Sequence, residues 1–128
     1  MIILLDTSTP VCKVELLDGD KATPSEWQAD RMLAKDVHSH LRKQLDSLGK
    51  TWQDISAIGV FKGPGSFTGL RIGLTVANTL ADSLRVPIVG TTGENWRDVA
   101  VKLITNGENH QMVLPEYASE ANITKPRK

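Results

Sequence analysis

The stretch at residues 63–73, GPGSFTGLRIG, indicates more about the fold of this chain than any other segment. It follows a short apolar segment and runs directly into a helical pattern that we predict over residues 67–84. Its glycines allow the backbone to approach another group closely or to take positive φ. Ser66 or Thr68 is placed to cap the first free N–H groups of the helix. The stretch therefore predicts a tight strand-to-helix turn inside an α/β fold.

The segments on either side of this turn extend the α/β pattern in both directions. We predict strands over residues 2–5, 11–17, 22–29, 56–61 and 86–90, and helices over residues 31–48, 67–84 and 91–104. The order β-β-β-α-β-α-β-α predicts a five-stranded mixed sheet with helices on both faces. We divide the chain into one lobe, residues 1–105, and an extended C-terminal tail, residues 106–128, which shows no clear period.

Length, charge and cysteine content limit the function classes. The 128 residues fit one domain, and fifteen Lys and Arg balance fifteen Asp and Glu. A neutral chain argues against a general nucleic-acid binder, which needs surplus positive charge. A single cysteine, Cys12, excludes an internal disulfide framework and a Cys-rich zinc site. Without a long apolar run or a secretory signal pattern, we expect a soluble cytoplasmic protein with no membrane contact.

The glycine-rich loop has two interpretations at this point. Gly63, Gly65 and Ser66 precede a helix N-terminus, which is a natural site for a phosphate or nucleotide. Alternatively, the glycines serve only the packing of a tight turn. A P-loop does not fit, because Leu70 and Arg71 stand where it needs Lys and Ser or Thr. The dinucleotide fingerprint Gly-x-Gly-x-x-Gly does not fit either, because its third glycine, Gly69, comes one residue late.

A polar turn follows the first predicted strand. Asp6, Thr7 and Ser8 place a carboxylate and hydroxyls at a strand end, where they can hold a metal–phosphate group or satisfy their own backbone in an Asx turn. His38 and His40 are two residues apart on a predicted helix, so they point in different directions and cannot share one metal. We predict no metal site and no catalytic residue.

A stripe of small residues distinguishes the predicted helix at residues 67–84. Gly69, Gly73, Ala77 and Ala81 recur every four residues on one face. Glycine inside a helix costs roughly 0.5–1 kcal/mol relative to alanine, so two on one face indicate close approach of another backbone. The approaching element lies either in the same chain or in a partner subunit.

The stretch at 63–73 resembles the signature of the TsaB (YeaZ) family of the tRNA threonylcarbamoyladenosine pathway. Three other stretches agree with that family in order and spacing: residues 5–8 (LDTS), 38–41 (HSHL) and 87–90 (PIVG). The resemblance covers residues 1–104 and implies a single actin/Hsp70-like, ribonuclease-H-like lobe. Family members usually carry a second lobe, whereas only about two dozen residues follow the third predicted helix here.

The resemblance implies a non-catalytic scaffold subunit. Such a protein pairs with and activates a TsaD-like catalytic subunit, works with a TsaE-like ATPase, forms a homodimer when alone, and reaches tRNA only through the complex. It binds no cofactor alone, and ATP is expected only together with the TsaD-like partner. The family pairs through its first two helices, so we predict an interface made by Leu33, Val37, Leu41, Gly69, Arg71, Gly73, Ala77 and Ala81. On this interpretation, Gly73→Leu abolishes pairing and leaves the fold intact.

The alternative function is a nucleotide-dependent ATPase or phosphotransferase that uses Asp6 and the loop at residues 63–69. The absence of a second lobe and of a recognisable catalytic base disfavours it. A peptidase lacks a metal pair or an arguable nucleophile. A ribonuclease-H-type nuclease needs a carboxylate cluster, of which Asp6 is the only member placed convincingly at a strand end.

Overall fold

The computed structural model describes residues 1–28 and 33–116. Its elements follow the predicted order β-β-β-α-β-α-β-α, with one short 3₁₀ turn before β4. They are β1 Ile2–Asp6, β2 Val11–Asp18, β3 Lys21–Gln28, α1 Leu33–Ser47, the 3₁₀ turn Trp52–Asp54, β4 Ala57–Phe61, α2 Phe67–Leu84, β5 Ile88–Thr91 and α3 Trp96–Thr105. Within these described ranges no helix is long and apolar enough to cross a bilayer.

The strands form one mixed sheet in the order β3-β2-β1-β4-β5. The pairs β1–β2 and β2–β3 are antiparallel, and the pairs β1–β4 and β4–β5 are parallel. The β2–β3 hairpin turns at Gly19, whose φ of 63° suits a glycine at a tight turn. Central β1 is therefore bordered on both sides, and its carboxyl end lies beside the start of α2.

Alternate residues of the strands pack on opposite faces of the sheet. Ile3 and Leu5 of β1 face α1 and α2, together with alternate residues of β2 and β4. Leu4 and Val89 face α3 on the other side, where they meet Trp96. The predicted five-stranded mixed sheet with helices on both faces is thus confirmed.

The third helix begins later than the sequence pattern predicts. Thr91 belongs to β5, and α3 starts only at Trp96, because a turn at Gly93 with φ of 89° separates the two elements. The buried Thr91 hydroxyl donates to the Trp96 carbonyl at 2.7 Å and fixes this turn. A threonine at a strand end can hydrogen-bond locally in this way, which the helical pattern does not reveal.

Residues 108–116, here called the edge strap, lie along the outer edge of β5. The strap reaches the strand through a hydrogen bond from the His110 amide to the Ile88 carbonyl at 2.8 Å. Val113 is buried, and its backbone N–H and C=O bond the Asn78 side chain at 2.9 Å each. The part of the predicted tail within residues 106–116 therefore packs on the lobe, and residues 117–128 lie outside the described ranges.

Candidate functional site

The turn after β1 pairs its polar groups with one another. The Asp6 carboxylate accepts the Ser8 backbone N–H at 2.8 Å and the Ser8 hydroxyl at 2.6 Å. The Thr7 hydroxyl donates to the Gly69 carbonyl at 2.8 Å. The Asp6–Ser8 contacts are those of an Asx turn.

The glycine-rich loop packs directly on that turn. The Ser66 amide donates to the Ser8 carbonyl at 2.7 Å, and a Cβ placed on Gly65 would lie 2.8 Å from the same carbonyl oxygen. At Gly63, φ is 125°, and a Cβ there would collide with the Glu116 carbonyl. The loop glycines therefore permit close backbone packing within the chain.

Ser66, one of the two predicted candidates, is the N-cap of α2. Its hydroxyl accepts the Gly69 amide at 3.4 Å. Five of the residues predicted as an anion or nucleotide site come together at the junction of β1 and α2, namely Asp6, Thr7, Ser8, Gly65 and Ser66, whereas Gly63 packs against Glu116. Thr7 and Ser8 are buried and their hydroxyls bond protein groups, so the junction has the contacts of a packed turn.

The small-residue stripe of α2 faces the chain's own core. A Cβ on Gly73 would overlap the Thr7 hydroxyl and lie 2.7 Å from Thr7 Cγ2, and a Cβ on Gly69 would overlap the Thr7 carbonyl. Ala77 and Ala81 belong to the same core cluster as the strands beneath them. The segment that approaches the two glycines of the stripe is therefore the turn after β1 in the same chain.

This burial corrects the predicted interface. Leu33, Val37, Leu41, Gly73, Ala77 and Ala81 are all buried within the chain. A side chain exposed by a few per cent has almost no surface to give to a partner. Gly69 is only half-buried but faces Thr7, and Arg71 alone of the eight is exposed. Gly73→Leu is accordingly expected to disrupt the fold itself.

The exposed side of the same helices forms a surface groove, here called the α2 groove. It has a volume of about 320 Å³, and its lining is Ala34, Thr68, Arg71, Ile72, Thr75 and Val76. The Arg71 guanidinium lies 5.3 Å from the centre of the Phe67 ring, which is 48% exposed. Apart from Arg71, the sequence analysis did not identify the residues of this surface, although residues 68, 72, 75 and 76 recur at helical spacing.

A second groove adjoins the first along α2. It is bordered by the edge strap as well as by the helix, and it shares Arg71 and Thr75 with the α2 groove. Met112 and Leu114 on the strap are 64% and 69% exposed. The solvent side of α2 thus presents a broad surface with exposed apolar side chains next to one cation.

The histidines of α1 take part in ring stacking. His40 stacks on Trp27 with ring centres 4.2 Å apart, and its Nε2 lies 2.8 Å from the Ser25 hydroxyl. Burial lowers the pKa of His40, and nearby Lys43 lowers it further. Within the described residues no group of three His, Cys, Asp or Glu side chains could hold a metal ion.

The cysteine is placed in the core. Cys12 is fully buried on β2, and burial raises its pKa to about 11, with smaller contributions from Asp6 and Asp36. A thiol in this environment stays protonated near neutral pH. Its position is that of a packing residue.

Comparison with known proteins places the chain in a family. The family model described as "TsaD: tRNA N6-adenosine threonylcarbamoyltransferase" matches residues 27–93, just over half of the chain. The "tRNA threonylcarbamoyladenosine biosynthesis protein TsaB" of Escherichia coli is 31% identical over 91 residues, which is 71% of this chain and 39% of that protein. The TsaB protein of Haemophilus influenzae is 33% identical over 88 residues, 69% of this chain and 37% of that protein.

Solved structures agree with these relatives. "YeaZ from Pseudomonas aeruginosa" superposes with a TM-score of 0.66 at 34% identity, covering 71% of this chain and 43% of that one. A Thermus thermophilus RuvC structure, in complex with Holliday junction substrate, matches with a TM-score of 0.53 at 12% identity, covers 94% of this chain and 85% of that one, and supports the fold alone. The chain spans about two fifths of the length of the first curated relatives it matches. On the family-model match, the TsaB relatives and the YeaZ structure, the chain belongs to the TsaB (YeaZ) family.

Proposed function

We propose that this chain acts in tRNA threonylcarbamoyladenosine biosynthesis as an accessory subunit that pairs with a TsaD-like catalytic protein. Family membership supports the assignment to this pathway, because the curated relatives are named for that biosynthesis. The proposed partners are the TsaD-like subunit and a TsaE-like ATPase, with tRNA contacted through the complex. In the absence of these partners the chain forms a homodimer.

The α2 groove is the proposed pairing surface. The solvent sides of α1 and α2 meet there, and exposed threonine, alanine and half-buried apolar side chains surround Arg71. Apolar side chains with an arginine are typical of the centre of protein interfaces. The proposed pairing surface therefore lies on the same helices as predicted, but on their more exposed sides beside the buried stripe.

An accessory role also fits the junction of β1 and α2. Asp6 bonds Ser8, and the Thr7 hydroxyl is taken by the Gly69 carbonyl, so a nucleotide would have to displace existing hydrogen bonds. We propose that the chain alone does not hold ATP and that nucleotide binding requires the TsaD-like partner. Isothermal calorimetry with Mg-ATP tests this point, and micromolar binding by the isolated chain would favour the ATPase alternative.

The pathway assignment is tested by reconstitution. The TsaD-like and TsaE-like proteins of the same organism are incubated with unmodified tRNA and the threonylcarbamoyl-adenylate donor, with and without this chain. We expect the modified nucleoside to accumulate only when the chain is present. Full modification in its absence, or none in its presence, would refute the proposed role.

A further inference from the structure

The edge strap offers side-chain acceptors to two backbone amides of β5, where a neighbouring strand would offer backbone carbonyls. The Ile88 amide donates to Asn109 Oδ1 at 3.1 Å, and the Gly90 amide donates to His110 Nδ1 at 3.1 Å. Both amides belong to buried residues, which need a partner once water is excluded. The two side chains thus replace the acceptors of a sixth strand.

The bond to Gly90 fixes the protonation state of His110. A ring nitrogen accepts a hydrogen bond only when it carries no proton, so Nδ1 is bare and the proton of the neutral ring is on Nε2. An imidazolium ion has two donors and no acceptor. Protonation at Nδ1 would place two N–H groups against each other.

The strap is also held at other points, since the His110 amide donates to the Ile88 carbonyl and further contacts follow along the segment. Three residues beyond His110, Val113 covers Gly90 so tightly that a Cβ on the glycine would overlap the valine side chain. Asn78 holds the Val113 backbone, and the Glu116 amide donates to the Lys62 carbonyl at 2.7 Å. The strap is therefore a short segment held at separate points by hydrogen bonds, one of which requires a neutral imidazole.

We propose that His110 is a pH-operated latch, in which the neutral imidazole pairs the Gly90 amide and the protonated imidazole frees that amide and loosens the edge strap at this point of β5. Loss of this bond leaves the Gly90 amide at the edge of β5 without its acceptor. His110 is itself exposed, so the proton reaches it without prior unfolding. Imidazole is the side chain that most readily changes its charge near neutral pH.

Other charged groups lie near the strap, and any test must distinguish their effects from that of His110. They lie on three elements, namely Lys62 after β4, Asp82 and Arg85 at the end of α2, and Glu108 and Glu116 in the strap itself. Lys62 and Glu116 form an ion pair at 3.8 Å.

Amide hydrogen exchange measured by NMR on the full chain tests the latch. Wild type is compared with His110→Asn, whose Oδ1 is an acceptor at the same distance along the side chain but does not titrate, and with His110→Ala, which has no acceptor. Between about pH 7.5 and about pH 5.5, a range that brackets imidazole titration, exchange rates are corrected for their intrinsic pH dependence.

We expect protection of the wild-type Gly90 amide to fall at least about tenfold on acidification, as for loss of a bond to a buried donor. His110→Asn should stay protected at both pH values, and His110→Ala should be unprotected at both. Wild-type protection that is unchanged by pH would overturn the proposal. So would an equal acid loss in His110→Asn, or full protection in His110→Ala. In wild type alone, the chemical shifts of the Gly90 amide and of the His110 ring must also change with pH at the same midpoint. Different midpoints would refute the latch.

Discussion

Gly73→Ala is the substitution that most clearly separates a core role from an interface role. The residue lies on the face of α2 that contacts β1, and an added Cβ would overlap the Thr7 hydroxyl and lie 2.8 Å from Thr7 Cβ. Thr7 is β-branched and buried, so it has little freedom to move aside. We expect the variant to destabilise the isolated chain.

The magnitude follows from three contributions. Overpacking in a tight core costs about 1–3 kcal/mol. Displacing the Thr7 hydroxyl from the Gly69 carbonyl costs about 1 kcal/mol. Alanine in a helix interior regains about 1 kcal/mol relative to glycine. The net loss in the free energy of unfolding is about 2 kcal/mol, which lowers the urea midpoint by about 1 M at a typical slope.

Urea unfolding followed by far-ultraviolet circular dichroism measures this loss. Thr79→Ala is the matched control, because Thr79 lies on the exposed side of the same helix and should change stability by less than about 0.5 kcal/mol. In the double variant Thr7→Ala with Gly73→Ala, the hydroxyl and methyl that collide are gone. The double variant should therefore lose about 1 kcal/mol less than the sum of the single changes.

Unaltered stability of Gly73→Ala would refute this reasoning. It would mean that β1 and α2 are farther apart than the contacts indicate and that the stripe is free to serve a partner. Additive single and double variants would show that Thr7 is not the residue that meets the added methyl.

Three further predictions follow from individual side chains. The pKa of His40 is lowered in the folded state, so the unfolded state binds more protons. The His40 contribution to stability should be full above about pH 6.5 and should be lost as the pH drops through the folded pKa. In urea titrations at several pH values, this loss should be smaller in His40→Gln than in wild type. Cys12, with its pKa raised to about 11, should react with a disulfide reagent at about pH 8 at least about a hundredfold more slowly in the folded chain than in urea, and equal rates would contradict its burial. Asn78→Ala removes both hydrogen bonds to Val113 and should cost about 2 kcal/mol, whereas an effect no larger than that of Thr79→Ala would show that the strap is not held there.

Local patterns in the sequence predict most of the secondary structure. The four-residue spacing of Leu33, Val37, Leu41 and Leu45 predicts α1, and these side chains are buried. The pattern at residues 67–84 predicts α2 with the bounds that it has. Such elements are predictable because periodicity and capping depend on neighbours along the chain.

Contacts between distant segments were not predictable. The spacing of Gly69 and Gly73 indicates a close approach but does not say whether β1 or a partner approaches, and the interface assignment failed there. The edge strap shows neither a helical nor a strand period in the sequence. It is placed by the side chains of His110 and Asn109, which bond β5 residues about twenty positions earlier in the chain. The α2 groove could not be predicted from the sequence either, because it forms only where the exposed sides of two helices meet.

The most direct test of the account is binding of the chain to the TsaD-like protein of its own organism, measured by sedimentation velocity. Wild type is compared with Thr75→Arg, which fills the α2 groove, and with Val99→Arg, a matched change at an exposed position of α3 on the opposite side of the sheet. We predict a complex with wild type and with Val99→Arg, and affinity at least about tenfold weaker for Thr75→Arg, as for loss of a central interface contact. No complex with wild type would contradict the proposed role, and equal binding by Thr75→Arg would contradict the proposed surface.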